Sequence, residues 1–286
     1  MFLTKLDLNI RSRNTANWLR NPYNVHVDLW KAFPSIKGEK KEAPFLYRFD
    51  LNQKETSIQP RILVLSEIEP IWDNSFEHLP ILLGQPQVKE ISGLDDFIKV
   101  GATFRFSLIA NPTKKIKNYR LLFKEELKEY PENYTRTNQK EYLVGKQKLE
   151  ELIKTVSKEQ REKLSSKRIG IYEEQDQINW LKRKGNNPNK PDVSHGFDIL
   201  QLEVKDEKGN TGFWDSALSY GQEMLKFQIT KKTEKETGNK HDIKLHTVTF
   251  TGILRVTNAA QFKHAYINGI GQGKAFGCGM LLLARV

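Results

Sequence analysis

The chain has 286 residues, 38% of them hydrophobic, which is enough for one large buried core or two modest ones. Its 46 Lys and Arg residues outnumber its 35 Asp and Glu residues, and the net charge of +11 favours a polyanionic partner such as nucleic acid, although solubility alone would also account for it. The single cysteine, Cys278, excludes an intramolecular disulfide and a cysteine-rich zinc cluster, so the sequence implies a reducing compartment and no metal.

Neither end of the chain has the pattern of a membrane segment. Lys5 and Asp7 interrupt the apolar residues at the start, so no signal-peptide core forms, and the apolar run over 280–284 is far too short to span a bilayer. We therefore expect a cytoplasmic protein without a membrane partner.

The N-terminal part of the chain predicts a ferredoxin-like domain, which has the element order β-α-β-β-α-β. Apolar residues at period two predict a strand over 2–10, and a helix follows the loop around Arg11 to Arg13. The remaining elements are predicted as a helix over 22–33, strands over 45–51 and 61–66, a short helix holding Trp72, Phe76 and Leu79, and a last strand over 86–92.

The rest of the chain predicts a second domain of the same type. A strand ending at Ile109 leads into Asn111-Pro112, and a charged, mainly helical segment interrupts the series. The later elements are predicted as a helix over 177–184, strands over 197–204, 223–230 and 243–256, a helix over 258–268 and an apolar strand from Ala275. The predicted fold is therefore α+β, with tandem ferredoxin-like domains over 1–94 and 95–286, an insertion at about 125–175, a basic hairpin at about 225–250 and a glycine-rich loop at 269–279.

Basic residues concentrate in two segments. Residues 114–168 include 16 basic and 9 acidic residues, and this surplus of seven supplies most of the net charge. The candidate phosphate-binding lysines are Lys114, Lys115 and Lys117 in this segment and Lys231, Lys232 and Lys235 in the turn of the hairpin. A run of lysines is also a common feature of an ordinary solvated surface.

The helix predicted over 22–33 carries the best candidates for chemistry. Asn21 suits its N-cap and Pro22 its first turn, while Val25, Leu29 and Phe33 form its inward stripe.

Tyr23 and His26 are three residues apart on this helix, so they share a face beside the stripe. A helix N-terminus favours anions and lowers the pKa of a nearby imidazole, which would keep His26 neutral, as a general base must be. RNA supplies its own nucleophile, the ribose 2′-OH, so an imidazole, a phenol and a lysine suffice to cleave it without metal. Lys31 is a further candidate, roughly 140° around the helix from His26. From spacing alone, a Tyr–His pair on an amphipathic helix is more often a surface pair or a satisfied core pair than a catalytic one.

The segment 269–279 holds five glycines in eleven residues, a density that lets backbone N–H groups approach a phosphate. Gly271, Gly273 and Lys274 are its candidate RNA contacts. The segment follows a helix and precedes a strand, and Ala275 stands where a P-loop needs Ser or Thr, so it is neither a dinucleotide fingerprint nor a P-loop. A helix C-cap followed by bulges is the alternative explanation.

The other histidines do not form a second site. His241 and His246 are five residues apart and would face opposite sides of a strand, so they do not form a metal pair. None of the six histidines begins an H-x-[ST] motif, which disfavours a cyclic phosphodiesterase.

Five segments in order resemble the CasE family of CRISPR endoribonucleases. They are Leu3-Thr4-Lys5-Leu6, Asn21-Pro22-Tyr23-x-x-His26-x-x-Leu29, Ala110-Asn111-Pro112-Thr113-Lys114, Trp180-Leu181 and the glycine segment ending at Gly279. The resemblance spans the chain except for roughly residues 125–175, and Val27 departs from it, because relatives can carry arginine there.

This resemblance implies two ferredoxin-like domains, no cofactor, cleavage of CRISPR precursor RNA at the 3′ base of the repeat hairpin, and retention of the product among the other subunits of Cascade. The products would carry 5′-hydroxyl and 2′,3′-cyclic phosphate ends. It implies Tyr23 and His26 as the acid–base pair, with their individual roles open, and Lys31 as a basic position near the scissile phosphate. The hairpin at Lys231–Lys240 would enter the major groove of the RNA stem, and Lys114 and Lys115 would bind that stem.

Two alternatives belong to other functional classes. A non-catalytic RNA-binding subunit would keep the basic surface but has no need of Tyr23 beside His26, and a cleavage assay separates the two. A structural assembly protein would bind RNA weakly and with little dependence on salt.

Overall fold

In the computed structural model, the described residues are 1–34, 42–54, 57–72, 81–205, 210–230 and 240–286. They form a mixed α/β fold with antiparallel sheets. The helices are α1 (Arg13–Arg20), α2 (Pro22–Leu29), α3 (Leu94–Phe97), α4 (Gln139–Thr155), α5 (Lys158–Lys163), α6 (Glu174–Gly185) and α7 (Ala259–Asn268). The strands are β1 (Phe2–Asp7), β2 (Phe45–Lys54), β3 (Ser57–Ser66), β4 (Gln87–Glu90), β5 (Thr103–Ala110), β6 (Thr113–Lys117), β7 (Ser166–Gly170), β8 (Phe197–Ile199), β9 (Gln201–Lys205), β10 (Thr211–Asp215), β11 (Leu218–Thr230), β12 (Lys240–Val256) and β13 (Leu281–Arg285).

The chain forms two compact units, one of Met1–Pro112 with Tyr172–Val286 and the other of Thr113–Ile171. In the larger unit, four antiparallel strands form a sheet in the order β2-β3-β1-β4. Helices α1 and α2 pack on it because their apolar stripes match its inward residues. Their shared core is Trp18, Val25, Leu29, Leu6, Ile62 and Tyr47, all at most 2% exposed.

The second sheet of the larger unit has the order β11-β12-β5-β13, and β8 pairs with the far end of β12. Burial alternates along β5, where Phe104, Phe106 and Leu108 face inward, as period two predicts. Helices α6 and α7 supply Trp180 and Phe262 to the core of this half.

The predicted elements are confirmed with shifted bounds in several places. The helix predicted over 22–33 is α2 followed by a 3-10 turn over Trp30–Ala32, and the strand predicted over 197–204 divides into β8 and β9, which pair with different partners. The strand predicted from Ala275 is wrong, since Lys274–Phe276 is a 3-10 turn and β13 begins at Leu281. Gly277 and Gly279 have φ of +84° and +93°, and these positive values interrupt the extended backbone before β13. Most of the helix predicted around Trp72, Phe76 and Leu79 lies outside the described residues.

In the smaller unit, β6 and β7 form a two-stranded antiparallel ribbon, and most of the helical residues belong to α4 and α5. A capping box between Ser157 and Gln160 starts α5. Arg120 joins the loop that precedes α4, because its guanidinium donates to the carbonyls of Leu127, Tyr130 and Pro131. Within the described ranges, no helix of the protein is both long enough and apolar enough to cross a membrane.

Candidate active site

Helix α2 is fixed at its first residue by the capping side chain. Asn21 Oδ1 accepts from the backbone N–H of Tyr23 at 3.1 Å, and its Nδ2 donates to the carbonyl of Gln228 on β11 at 3.0 Å. Pro22 occupies the first turn, as the sequence predicts. The side-chain amide of Asn21 therefore caps α2 with its oxygen and joins the start of α2 to the second sheet with its nitrogen.

Tyr23 and His26 lie side by side on a half-buried face of this helix. Their ring centroids are 5.8 Å apart with the planes 28° from parallel. Both side chains are half-buried, and the Tyr23 hydroxyl forms no hydrogen bond with any described residue. The helix thus holds a phenol and an imidazole side by side, next to the Val25 and Leu29 stripe, which is fully buried.

Trp30, one turn after His26, sets the state of the imidazole. The indole Nε1 donates to His26 Nε2 at 3.3 Å, and because an indole N–H can only donate, Nε2 must carry a lone pair. The neutral ring therefore holds its proton on Nδ1. Burial lowers the pKa of His26 to about 4, so the neutral imidazole predicted from the helix N-terminus is present here for a different reason, the loss of water around the ring.

A buried phenol connects α2 to the glycine segment. The Tyr47 hydroxyl lies 2.6 Å from the carbonyl of Pro22 and 3.1 Å from that of Ala275. Burial raises the pKa of Tyr47 well above its ordinary value, so this hydroxyl stays a donor. A side chain at Gly277 would begin 3.2 Å from the Tyr47 ring, which accounts for a glycine at that point.

The glycine segment and His26 line one cavity of about 410 Å³. Gly271, Gly273 and Lys274 line it, as does Phe45, whose ring centroid is 5.5 Å from that of His26. Gly269 is the C-cap of α7, so a helix C-cap, which was the alternative explanation of the glycine segment, is confirmed for its first residue. Sequence reasoning missed three groups here: Trp30 and the two exposed carboxylates of Glu42 and Glu67, which also line the cavity.

The structure does not bring Lys31 to this pair. Its amine is 2.7 Å from Asp28 Oδ1, and the other oxygen of Asp28 accepts from Trp18 Nε1 at 2.8 Å. Asp28 lines a different cavity, beside Val27 and Asn24 on another face of α2. The Asp28–Lys31 spacing of three is itself a sequence signal for this ion pair.

The other predicted RNA contacts lie elsewhere. Lys114, Lys115 and Lys117 are on β6 of the smaller unit, and Lys231, Lys232 and Lys235 lie outside the described residues. His246 is buried, and its pKa is lowered by desolvation. Across the part of the chain that the structure describes, no three His, Cys, Asp or Glu side chains group as metal ligands.

Comparison with known proteins gives consistent matches over almost the whole chain. A sequence model of the family described as CRISPR associated protein matches residues 1–285. The CRISPR-associated endoribonuclease Cse3 of Thermus thermophilus is 25% identical over 284 residues, which is 99% of this chain and 100% of that protein. The CRISPR system Cascade subunit CasE of Escherichia coli is 21% identical over 267 residues, 93% of this chain and 94% of that one. A solved structure of Cse3 bound to a 19-nucleotide RNA is 24% identical, with a TM-score of 0.59 over 99% of this chain and 100% of that one.

Proposed function

Because the chain belongs to the family of CRISPR-associated proteins, we propose that it is an endoribonuclease that processes CRISPR RNA. The observation that carries this proposal is the Tyr23–His26 pair, two acid–base groups 5.8 Å apart at the start of one helix. His26 also lines a cavity with Lys274 and the glycine segment, where a phosphodiester would find positive charge. The smaller unit and the hairpin would supply further basic contacts along an RNA stem.

The proposed reaction needs no metal. Neutral His26 takes the proton of the ribose 2′-hydroxyl on Nε2, the nitrogen that carries the lone pair, once this hydroxyl replaces the Trp30 indole N–H as its hydrogen-bond partner. The 2′-oxygen forms a bond to phosphorus as the bond from phosphorus to the 5′-oxygen breaks. Tyr23 donates its phenolic proton to that leaving oxygen, which gives 2′,3′-cyclic phosphate and 5′-hydroxyl ends. Each positioned proton transfer is worth about 10²–10⁴-fold in rate. The pKa of about 4 supports the assignment of His26 as the base, since the imidazole is neutral at pH 7.

The distribution of charge around the cavity supports one orientation of the RNA. Lys274 is exposed at the wall formed by the glycine segment, while Glu42 and Glu67 stand on the wall formed by β2 and its neighbours. Carboxylates repel a phosphate but accept hydrogen bonds from hydroxyl and amino groups. We therefore place the scissile phosphate towards Lys274 and a ribose or base towards the two glutamates. Lys31 stays a prediction, because its amine would have to leave Asp28 first.

The strand orders support the finer fold prediction of two ferredoxin-like halves. Both sheets are antiparallel. Each four-strand order, β2-β3-β1-β4 and β11-β12-β5-β13, places the first and third of its own four strands in the centre, and β8 lies off the second path. This is the arrangement expected when two split β-α-β units interlock. We propose a division near residues 94 and 95, with the smaller unit inserted in the second half.

Two further parts of the proposal concern the partners. We propose that the RNA substrate is the repeat hairpin, cut at its 3′ base, and that the protein keeps the product and joins the other Cascade subunits in the cytoplasm. The name of the Escherichia coli relative, a Cascade subunit, supports this part.

A cleavage assay tests the proposal. The protein is incubated in excess EDTA with a labelled repeat hairpin, either all-ribose or with one 2′-deoxyribose at the cut site. We expect cleavage of the all-ribose RNA alone, and loss of cleavage in His26→Ala. Val27→Ala is the matched control, because Val27 is the next residue on α2 and is 47% exposed on another face.

The outcomes separate the alternatives. Cleavage of the 2′-deoxy substrate would contradict attack by the 2′-hydroxyl, and cleavage abolished by EDTA would contradict the metal-free reaction. Tight, salt-dependent binding of the hairpin without any cleavage would favour a non-catalytic RNA-binding subunit.

A further inference from the structure

The smaller unit, Thr113–Ile171, contains a cavity of its own, of about 570 Å³. Its walls are the β6-β7 ribbon, the loop that follows β6, and the inner face of α4. All its lining residues belong to this unit, so the cavity is separate from the one that His26 lines.

The floor of the cavity is apolar and one wall is aromatic. Leu127 is 1% exposed, and Leu149 and Ile153 of α4 lie beside it. Tyr130 is fixed against α4, because a side chain at Gly145 would begin only 2.5 Å from its Cβ, and the Lys148 amine lies 5.2 Å from its ring centroid. Tyr119 also lines the cavity, but it stacks on no other described aromatic ring. Its side chain is only partly buried.

The remaining lining residues give the cavity a strong positive charge. Five are cationic and one is acidic: Lys117, Arg120, Lys124, Lys128, Lys167 and Glu132. Arg120 is committed to three backbone carbonyls, and the Lys117 amine donates to the carbonyl of Arg161.

Lys124 and Lys167 differ from these structural cations. Neither side chain has an ion pair or a hydrogen bond to any residue that the structure describes. Lys128 has only an exposed contact with Glu125 at 3.5 Å, which solvent screens. Two or three amines are thus available to an anion at the rim of an apolar, aromatic cavity.

We propose that this cavity binds one nucleotide of single-stranded RNA. The base would lie on the apolar floor against Tyr119, and its phosphate would bind Lys124 and Lys167. Stacking on an aromatic ring and backbone contacts to cations are the two interactions by which proteins hold single strands. An acidic peptide would satisfy the amines but would leave the ring and the floor unused. The choice of RNA as the polymer rests on the proposed function, while the site itself rests on these contacts.

Binding to the full-length protein tests the site. A short single-stranded RNA that carries a fluorophore and one 4-thiouridine is the probe, and its affinity is measured by anisotropy over a range of salt. The test variant is Lys124→Gln with Lys167→Gln. The matched control is Lys140→Gln with Lys146→Gln, which removes the same charge from exposed positions of α4 outside the cavity.

Each arm has a definite expectation. Each neutralised phosphate contributes about 0.7 to the salt dependence of single-strand binding, and both amines bind the same phosphate. The test variant should therefore lower the slope of log K against log salt by about 0.7. The control should leave that slope unchanged. Tyr119→Leu should weaken binding by about 5-fold to 150-fold, the range for loss of one stacked base, and Tyr119→Phe should restore it. Photo-crosslinks should fall on the lining of the cavity, within residues 116–133 or at 149, 153 and 167.

Equal loss of affinity in both double variants would overturn the site and leave only unspecific attraction to the basic unit. Unchanged binding in the test variant would also overturn it, and would point to a protein partner for this cavity. Cleavage of the hairpin is read separately. A protein that binds the short RNA as expected but does not cut the hairpin contradicts the proposed function alone, and the reverse result contradicts this site alone.

Discussion

Trp30→Phe removes one hydrogen bond from His26 and little else. Phenylalanine keeps an aromatic ring against Phe45, whose centroid is 5.9 Å from that of Trp30, but it has no N–H for His26 Nε2. That bond stabilises the neutral imidazole only, so its loss must raise the pKa of His26 above its value of about 4. Burial of the ring persists, so the pKa should stay below the ordinary value.

The size of the effect follows from the energy of the bond. A net hydrogen bond is worth about 0.5–1.5 kcal/mol, and one pH unit corresponds to about 1.4 kcal/mol. The value of kcat/KM falls at acidic pH because the base becomes protonated. The pH of this fall, the acidic limb of the profile, should therefore move up by roughly 0.4–1.1 pH units. At pH 7 the imidazole is neutral in both proteins, so a change in rate there would report the orientation of the ring and the release of its Nε2 lone pair rather than ionisation.

Two measurements check this prediction. The kcat/KM profile for the all-ribose hairpin gives the limb, and nitrogen NMR of the imidazole gives the tautomer, which should be the Nδ1–H form in the wild type and a mixture in the variant. Trp18→Phe is the matched control, since its indole donates to Asp28 at 2.8 Å rather than to His26. A wild-type ring protonated on Nε2, or a limb that Trp30→Phe leaves in place, would refute the assigned role of Trp30.

Three further predictions follow from the same geometry. Tyr23→Phe should lower kcat by about 10²-fold or more without a change in thermal stability, because the hydroxyl has no partner among the described residues; a parallel drop in Tm would show a structural role instead. Lys274→Ala should slow hairpin cleavage more than Lys31→Ala, since Lys274 lines the cavity and Lys31 is held by Asp28; the opposite order in single-turnover rates would restore Lys31 to the site. Desolvation, followed by the charges of Lys184, His264 and Lys274, lowers the pKa of His195 to about 4, so the unfolded chain binds a proton below pH 6.5 that the folded chain refuses until about pH 4. The free energy of unfolding should therefore decrease as the pH is lowered from about 6.5 to about 4, by at most about 1.4 kcal/mol per pH unit for this group. Urea titrations in which His195→Gln loses as much stability per pH unit as the wild type would contradict it.

Local rules were sufficient for helix α2. The cap at Asn21, the proline after it and the buried positions of Val25 and Leu29 all follow from residue type and spacing, and the structure confirms them. Because three residues on a helix share a face, the proximity of Tyr23 and His26 was also available from the sequence. The strand order of each sheet does not follow from such local rules, since it depends on contacts between residues far apart in the chain.

The missed parts of the candidate site depend on such distant contacts. The phenol of Tyr47 reaches Pro22, 25 residues away, and Ala275, 228 residues away, and no local pattern encodes either approach. The donor role of Trp30 is a local exception, because residues four apart on a helix are neighbours. Its signal was present, but an aromatic residue beside an apolar stripe predicts packing before it predicts hydrogen bonding.

The Tyr47 hydroxyl binds the two walls of the candidate site unequally. A phenol has one proton, so it cannot donate fully to both carbonyls, and the 2.6 Å distance to Pro22 marks the stronger bond compared with 3.1 Å to Ala275. The start of α2 is held a second time by Asn21, whereas Ala275 lies between glycines at 273 and 277 that both have positive φ. The glycine segment has further contacts, because the Gly279 N–H donates to the carbonyl of Ile109 at 2.7 Å and the ring centroid of Phe276 is 6.0 Å from that of Tyr23. Movement of the wall that carries Lys274 would therefore disturb Tyr23 as well, so we expect RNA to bind without displacing this wall.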